Sequence, residues 1–142
     1  MEMPPPVSRP PAAASKATPP RFEETLTLER LREKIEHFAD ERDWHKFHTP
    51  RNLLLAMTGE VGEVCECFQW RNDDGQDVDT WTAEDKEHLG EELSDVLIYL
   101  VRLADRCNID LPTAALRKME KNAIKYPAKL AKGSSLKYTA YT

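Results

Sequence analysis

The stretch 50–70, PRNLLLAMTGEVGEVCECFQW, sets the frame for the rest of the chain. Thr49 before it is a good N-cap and Pro50 suits the first helical position, so a helix starts here and continues to about Trp70. Advancing about 100° per residue from Leu53 puts Ala56 near −60°, Met57 near 40°, Val64 near 20° and Cys67 near −40°, which makes one apolar stripe. Glu60 falls at about −20°, in the middle of that stripe, and Glu63 at about −80°, on its edge one turn further along. A carboxylate buried alone costs several kcal/mol. A sequence that places two there must pair them with cations or leave a cavity for solvent.

The flanking segments also read as helices. Upstream, Thr25 or Thr27 precedes LERLREKIEHFADERDW, where Leu28, Leu31, Ile35 and Phe38 recur at helical spacing, so a first helix is expected over 27–43. Downstream, RNDDGQDVD (71–79) carries turn residues and no apolar period and reads as a loop. Thr82 with Asp85 three residues later resembles a capping box and opens a third helix to about Arg106. Asp110 and Pro112 open a fourth, which ends near Tyr126 because Pro127 follows. No alternating strand pattern and no repeat is present, so the fold class is all-α, a four-helix bundle.

Length and composition limit the rest. The 142 residues suit one domain, and the apolar share of 40% leaves part of the chain outside the core. Residues 1–20 hold seven of the ten prolines, which predicts a disordered tail over 1–22, a folded domain over 23–131 and a C-terminal tail over 132–142. The tail lacks the apolar run of a secretory signal, leaves a weak transit-peptide reading, and no apolar stretch is long enough to span a membrane. Three cysteines exclude a disulfide framework, and reduced, buried thiols in a cytoplasmic protein are expected. The net charge of −5 argues against nonspecific nucleic-acid binding. Its distribution is uneven, with ten acids and one base in 73–95 but seven bases and one acid in 117–137.

The third helix repeats the oddity of the second. From Leu89, the residues Leu93, Val96, Leu100 and Leu103 form an apolar stripe, and Glu92, Tyr99 and Asp95 line one flank. Residues three apart on a helix are neighbours, so Glu60/Glu63 and Glu92/Asp95 are two carboxylate faces. Packed together they put four carboxylates around one space. The competing reading is a solvated, salt-bridged surface, common for one such pair but less so for two pairs against apolar stripes. Hard oxygen ligands suit Mg2+, with Mn2+ as a substitute, and neither pair has the Glu-x-x-His of a di-iron bundle. Glu91 falls on the opposite face and reads as surface.

Glu60-Val-Gly-Glu63, then 28 residues, then Glu92-Leu-Ser-Asp95 resembles the E-x-x-E…E-x-x-D signature of the all-α nucleoside triphosphate pyrophosphatases, the MazG-like superfamily. The segments ERDWHKFHTPRNLLLAMTGEVGEVCECFQW, EELSDVLIYLVRLADRCNIDLP and KMEKNAIKYPAKLA are similar to its dCTP pyrophosphatase branch, over roughly residues 26–131. The resemblance implies that Glu60, Glu63, Glu92 and Asp95 ligate Mg2+, which neutralises the triphosphate and lowers the pKa of a bound water. It gives Glu63 the further role of taking the proton of the attacking water. Lys118, Asn122 and Tyr126 share a face of the fourth helix, and in the family this K…N…Y-P pattern contributes to phosphate and sugar contacts. Solubility is the reading for Arg117, Lys121 and Lys125.

Trp44 and Trp70 come at or just after helix ends, where an aromatic ring closes a pocket, and they align with the family's base-binding tryptophans. Tyr99 is the candidate sugar floor, and His45 and His48 read as loop histidines. One departure stands out: the family's dCTP branch has a histidine where this chain has Ile35, with His37 on another face. The function implied is Mg2+-dependent hydrolysis of dCTP or 5-modified dCTP to dCMP and pyrophosphate, by a homo-oligomer, a tetramer, without nucleic-acid or membrane partners. The alternatives are another nucleotide substrate, such as dUTP or phosphoribosyl-ATP, and a noncatalytic helical interaction module.

Overall fold

Each long helix begins where a short polar side chain satisfies backbone N–H groups that have no partner in the first turn. Thr27 accepts from the Arg30 amide at 3.2 Å, Thr49 from Asn52 at 3.2 Å and Asp110 from Thr113 at 3.1 Å. Thr82 and Asp85 form the reciprocal pair, Asp85 N–H to Thr82 Oγ1 at 3.1 Å and Thr82 N–H to Asp85 Oδ2 at 3.2 Å. The computed structural model describes residues 22–71 and 78–133. They form α1 (Leu28–Asp40), α2 (Pro50–Gln69), α3 (Ala83–Arg106), α4 (Leu111–Lys125) and a short α5 (Ala128–Ala131), with one 3-10 turn at Val78–Thr80 and no strand among the described residues. The protein is all-α. The tails expected at 1–22 and 132–142 and the loop at 71–79 lie mainly outside the described residues. Among these no helix is long and apolar enough to cross a membrane.

The first helix ends at Asp40, three residues before the expected Asp43. Asp43 takes a left-handed φ of 51°, which aspartate tolerates better than most side chains, and the Trp44 amide turns back to the Ala39 carbonyl at 3.0 Å. That reversal sets Trp44 edge-on against Phe38, with ring centroids 5.8 Å apart.

α2 packs chiefly on α3, and α1 lies across α3. Among the described residues Leu53, Ala39, Val101 and Trp81 are the buried apolar ones, and Trp81 packs on Phe68 with Arg71 over its ring. The inward face of α3 differs from the expected leucine stripe. Leu93 is 52% exposed and Leu97 and Leu100 are also open, whereas Glu92, Val96, Tyr99 and Arg102 turn inward. The stripe therefore splits between two faces, and the flank carrying the acids is the one that meets α2. No residue of α4 is buried; Leu116, Met119 and Ile124 all face outward. The cysteines are free thiols, but Cys65 and Cys107 are exposed rather than buried as expected, because they fall on the outer side of α2 and at the end of α3.

Leu53 is the apolar centre of this packing. Leu53→Ala is expected to lower stability by about 2–4 kcal/mol, read as a lower urea midpoint with an unchanged slope; a loss under about 1 kcal/mol contradicts this core.

Candidate active site

The contact of α2 with α3 brings carboxylates together across the helix pair. One ligand oxygen each from Glu60, Glu92 and Asp95 lies within 4.8 Å of the others. Glu60 and Glu92 are half-buried and Asp95 opens outward. Burial pushes the Glu60 carboxyl above its ordinary value, and the like charges of Asp95, Glu63 and Glu92 push it the same way. Glu63 is exposed and stands outside the three-oxygen set, close enough for its charge to act on Glu60.

Such a cluster of hard oxygens, free of histidine and cysteine donors, fits a divalent cation that retains water. His88, which drew no attention in the sequence, extends from the preceding turn of α3, with Nδ1 3.4 Å from Glu92 and 3.9 Å from Glu91. Glu91 is otherwise on the surface, as its helical position predicts.

Asp95 also belongs to the wall of a neighbouring cavity. This space, about 360 Å³, lies between α1 and α3 and is lined by Ile35, Phe38, Trp44, His48, Tyr99 and Arg102 among others. Its size is within the range of small-molecule sites. Tyr99 is half-buried there, and burial, with the charges of Glu60 and Asp95, pushes its phenol above the ordinary tyrosine range. A second hollow, of about 300 Å³ near Leu28, Ile109 and Pro112, carries charged groups that pair with one another, Arg32 with Glu29 and Asp105.

The structure thus brings Glu60, Glu92, Asp95, Tyr99 and Trp44 together. It leaves others apart. Trp70 is 79% exposed at the end of α2, over a separate shallow hollow with Glu66, Cys67, Arg71 and His88. Lys118, Asn122 and Tyr126 are exposed, the first two on α4 and Tyr126 at its C-terminal cap, and no residue of α4 lines the cavity. Ile35 does line it, where the dCTP branch has a histidine. Sequence reading missed the polar network under the cavity: buried Arg102 bonds His48 and His45, which come from the loop after α1.

Residues 56–140 match the model of the MazG-like family. The chain is 52% identical over 126 residues to the dCTP pyrophosphatase 1 of Mus musculus, covering 89% of this chain and 74% of that protein. The chain belongs to the MazG-like family. It is also 55% identical over 118 residues to the dCTP pyrophosphatase 1 of Homo sapiens, covering 83% of this chain and 69% of that one. A crystal structure of a pyrophosphatase from Archaeoglobus fulgidus superposes with a TM-score of 0.61 at 42% identity, over 70% of this chain and 92% of that one. Among MazG-like proteins, divalent metal use agrees with the acidic cluster found here.

Glu60 yields a prediction with a definite sign. Because its folded pKa is raised, ionised Glu60 works against folding, and stability falls as pH rises through its titration. Metal-free Glu60→Gln is therefore expected to melt roughly 2–4 °C above the wild type at pH 7, with the difference closing near pH 4. A lower melting temperature for the variant at pH 7 contradicts the repulsive cluster.

Proposed function

We propose that this chain is a Mg2+-dependent nucleoside triphosphate diphosphatase that hydrolyses dCTP, and 5-modified dCTP, to dCMP and pyrophosphate. The observation that carries this reading is that Asp95 belongs both to the three-oxygen acidic cluster and to the cavity lined by Trp44 and Tyr99. A cation and a nucleotide would then meet at one residue. The names of the relatives, dCTP pyrophosphatase 1 in both mammals, support the substrate.

In this reading Glu60, Glu63, Glu92 and Asp95 hold Mg2+, for which Mn2+ substitutes. The ion, when bound, supplies neutralisation of the triphosphate and activation of water. The protein's own groups do the rest. Glu63, exposed on the turn beyond Glu60, receives the proton as water attacks the α-phosphorus and pyrophosphate leaves. Phosphoryl chemistry of this kind needs placement and charge neutralisation more than a covalent intermediate, so no nucleophilic side chain is required. The Trp44 ring stacks on the base, and Tyr99 packs under the sugar, where its bulk disfavours a 2′-hydroxyl.

Trp70, Lys118, Asn122 and Tyr126 complete a site across a subunit boundary in a homo-oligomer, taken as a tetramer. The outward apolar side chains of α3 and α4, Leu93, Leu97, Leu116 and Met119, support such an assembly. Its role is sanitation of the nucleotide pool of the cytoplasm, or of a nuclear or organellar pool. The domain that does this spans 23–131.

The test is pyrophosphate release from a panel of dNTPs, NTPs and 5-methyl-dCTP with Mg2+ and with EDTA. Metal-dependent release led by the cytosine deoxynucleotides is expected, and Glu63→Gln and Asp95→Asn should each lower turnover at least about a hundredfold. Full turnover in both variants, or release in EDTA, overturns the assignment.

A further inference from the structure

Arg102 is a cation buried to 2% exposure that the proposed reaction does not use. Its charge is balanced by Glu36, to which Nη1 donates, and by Asp105 at 2.8 Å. Its other nitrogens hold the loop 41–49 that joins α1 to α2. Nε donates to His48 Nδ1 at 3.1 Å, and Nη2 lies 3.1 Å from His45 Nδ1. Arg106, one turn on, adds a bond from Nε to the His48 carbonyl at 3.1 Å. These contacts tie the loop to α3, and each ends on one of two histidines. The same loop carries Trp44, whose ring packs edge-on against Phe38 and stands 6.0 Å from the His48 ring.

This fastening depends on the protonation of His48. A guanidinium only donates, so His48 Nδ1 accepts from it only while that nitrogen carries no proton. The cationic ring has a proton on both nitrogens, which sets N–H against N–H across the 3.1 Å contact and adds a positive charge beside Arg102. The charges around the ring do not compensate for it. From α1, Asp40 and Glu36 face His45 Nε2 at 3.4 and 3.7 Å, and Glu36 is already engaged by Arg102. From α3, Asp105 is engaged by Arg102 and Arg32. The start of α2 offers the loop the neutral Asn52, which donates to the Phe47 carbonyl at 3.0 Å. Lys34 and Asp95 complete the charged groups in the wall of the cavity that His48 and Trp44 line. Burial, then the charges of Arg102, His45 and Arg106, hold His48 below the ordinary histidine range against a smaller opposing effect of Glu36.

We propose that His48 and Arg102 form a proton-operated latch: with His48 neutral the loop 41–49 is fastened to α3, and when His48 takes a proton the loop comes away, carrying Trp44 off Phe38 and opening the cavity between α1 and α3. The latch does not depend on which nucleotide the cavity takes. Once the loop is open, His48 regains its ordinary affinity for the proton, so acid favours the open form. The fastened form is fully favoured above the histidine range and is lost as pH falls below about 6.5, by at most about tenfold per pH unit.

Hydrogen exchange of the full chain without nucleotide, corrected for the intrinsic pH dependence of amide exchange, reads the latch. The amides of Trp44, Phe47 and His48 are hydrogen-bonded in the closed loop and serve as reporters. Between about pH 7.5 and 5.5, an interval that spans the histidine range and stays above the ordinary carboxylate range, their protection is expected to fall roughly five- to tenfold while that of α2 and α3 changes less than about twofold. His48→Asn keeps an acceptor for Arg102 Nε and does not titrate. This variant should hold the protection seen at the higher pH within about threefold and lose the fall in acid. If it fails to fold, wild-type protein still decides, because the fall must follow protonation of the His48 ring in long-range 1H–15N spectra. A loop equally protected at both pH values, the same fall in His48→Asn, or opening while His48 stays neutral overturns the proposal. Loosening of α2 and α3 together with the loop also overturns it, since that reports acid unfolding of the whole fold.

Discussion

The packing of α2 on α3 is built around like charges. Leu53, Val64 and Val96 would favour this contact in any helical pair, yet the same face carries Glu60 against Glu92 and Asp95. Burial of Glu60, and then the like charges of Asp95, Glu63 and Glu92, cost stability in the absence of a counterion, and the raised pKa of Glu60 expresses that cost. Folding alone does not ask for it. A divalent cation converts the repulsion into a ligand set, so the destabilising feature of the bare fold is the feature that suits it to triphosphate chemistry.

The position of the acids was legible because helix starts are written locally. Thr49 with Pro50, Thr82 with Asp85 and Asp110 with Pro112 signal their helices through side-chain bonds to the nearby backbone, and the structure makes each of those bonds or places the proline at the start. From these starts, helical periodicity puts Glu60 on the inward face. Periodicity was partly right on α3: of the stripe counted from Leu89, Leu89, Val96 and Leu103 are half-buried, but Leu93 and Leu100 are exposed and the covered face extends to the flank with Glu92 and Tyr99. A helix with two apolar faces does not say which one its own chain will cover. The end of α1 was misplaced for another reason: the left-handed turn at Asp43 uses no glycine, so the sequence carries no mark of it.

The polar network under the cavity was not legible at all. Arg102 is 54 residues from His48, 57 from His45 and 66 from Glu36 along the chain, and a lone arginine in an apolar stretch looks like a surface residue until the fold assembles its partners. Likewise the face of Lys118, Asn122 and Tyr126 is evident from spacing, but its distance from the cavity within one chain is a property of the tertiary arrangement. In this chain two levels divide the work: the acids follow from helix geometry, and the cavity follows from contacts between distant segments.

In the proposed reaction the acidic cluster and the cavity act on one ligand through Asp95. Anomalous diffraction at the manganese edge, from crystals grown with Mn2+ and a dCTP analogue whose α–β bridging oxygen is replaced by NH, tests it most directly. Manganese density is expected among Glu60, Glu92 and Asp95, with the cytosine in the cavity beside Trp44 and Tyr99. Manganese elsewhere, or a nucleotide bound away from that cavity, would contradict it.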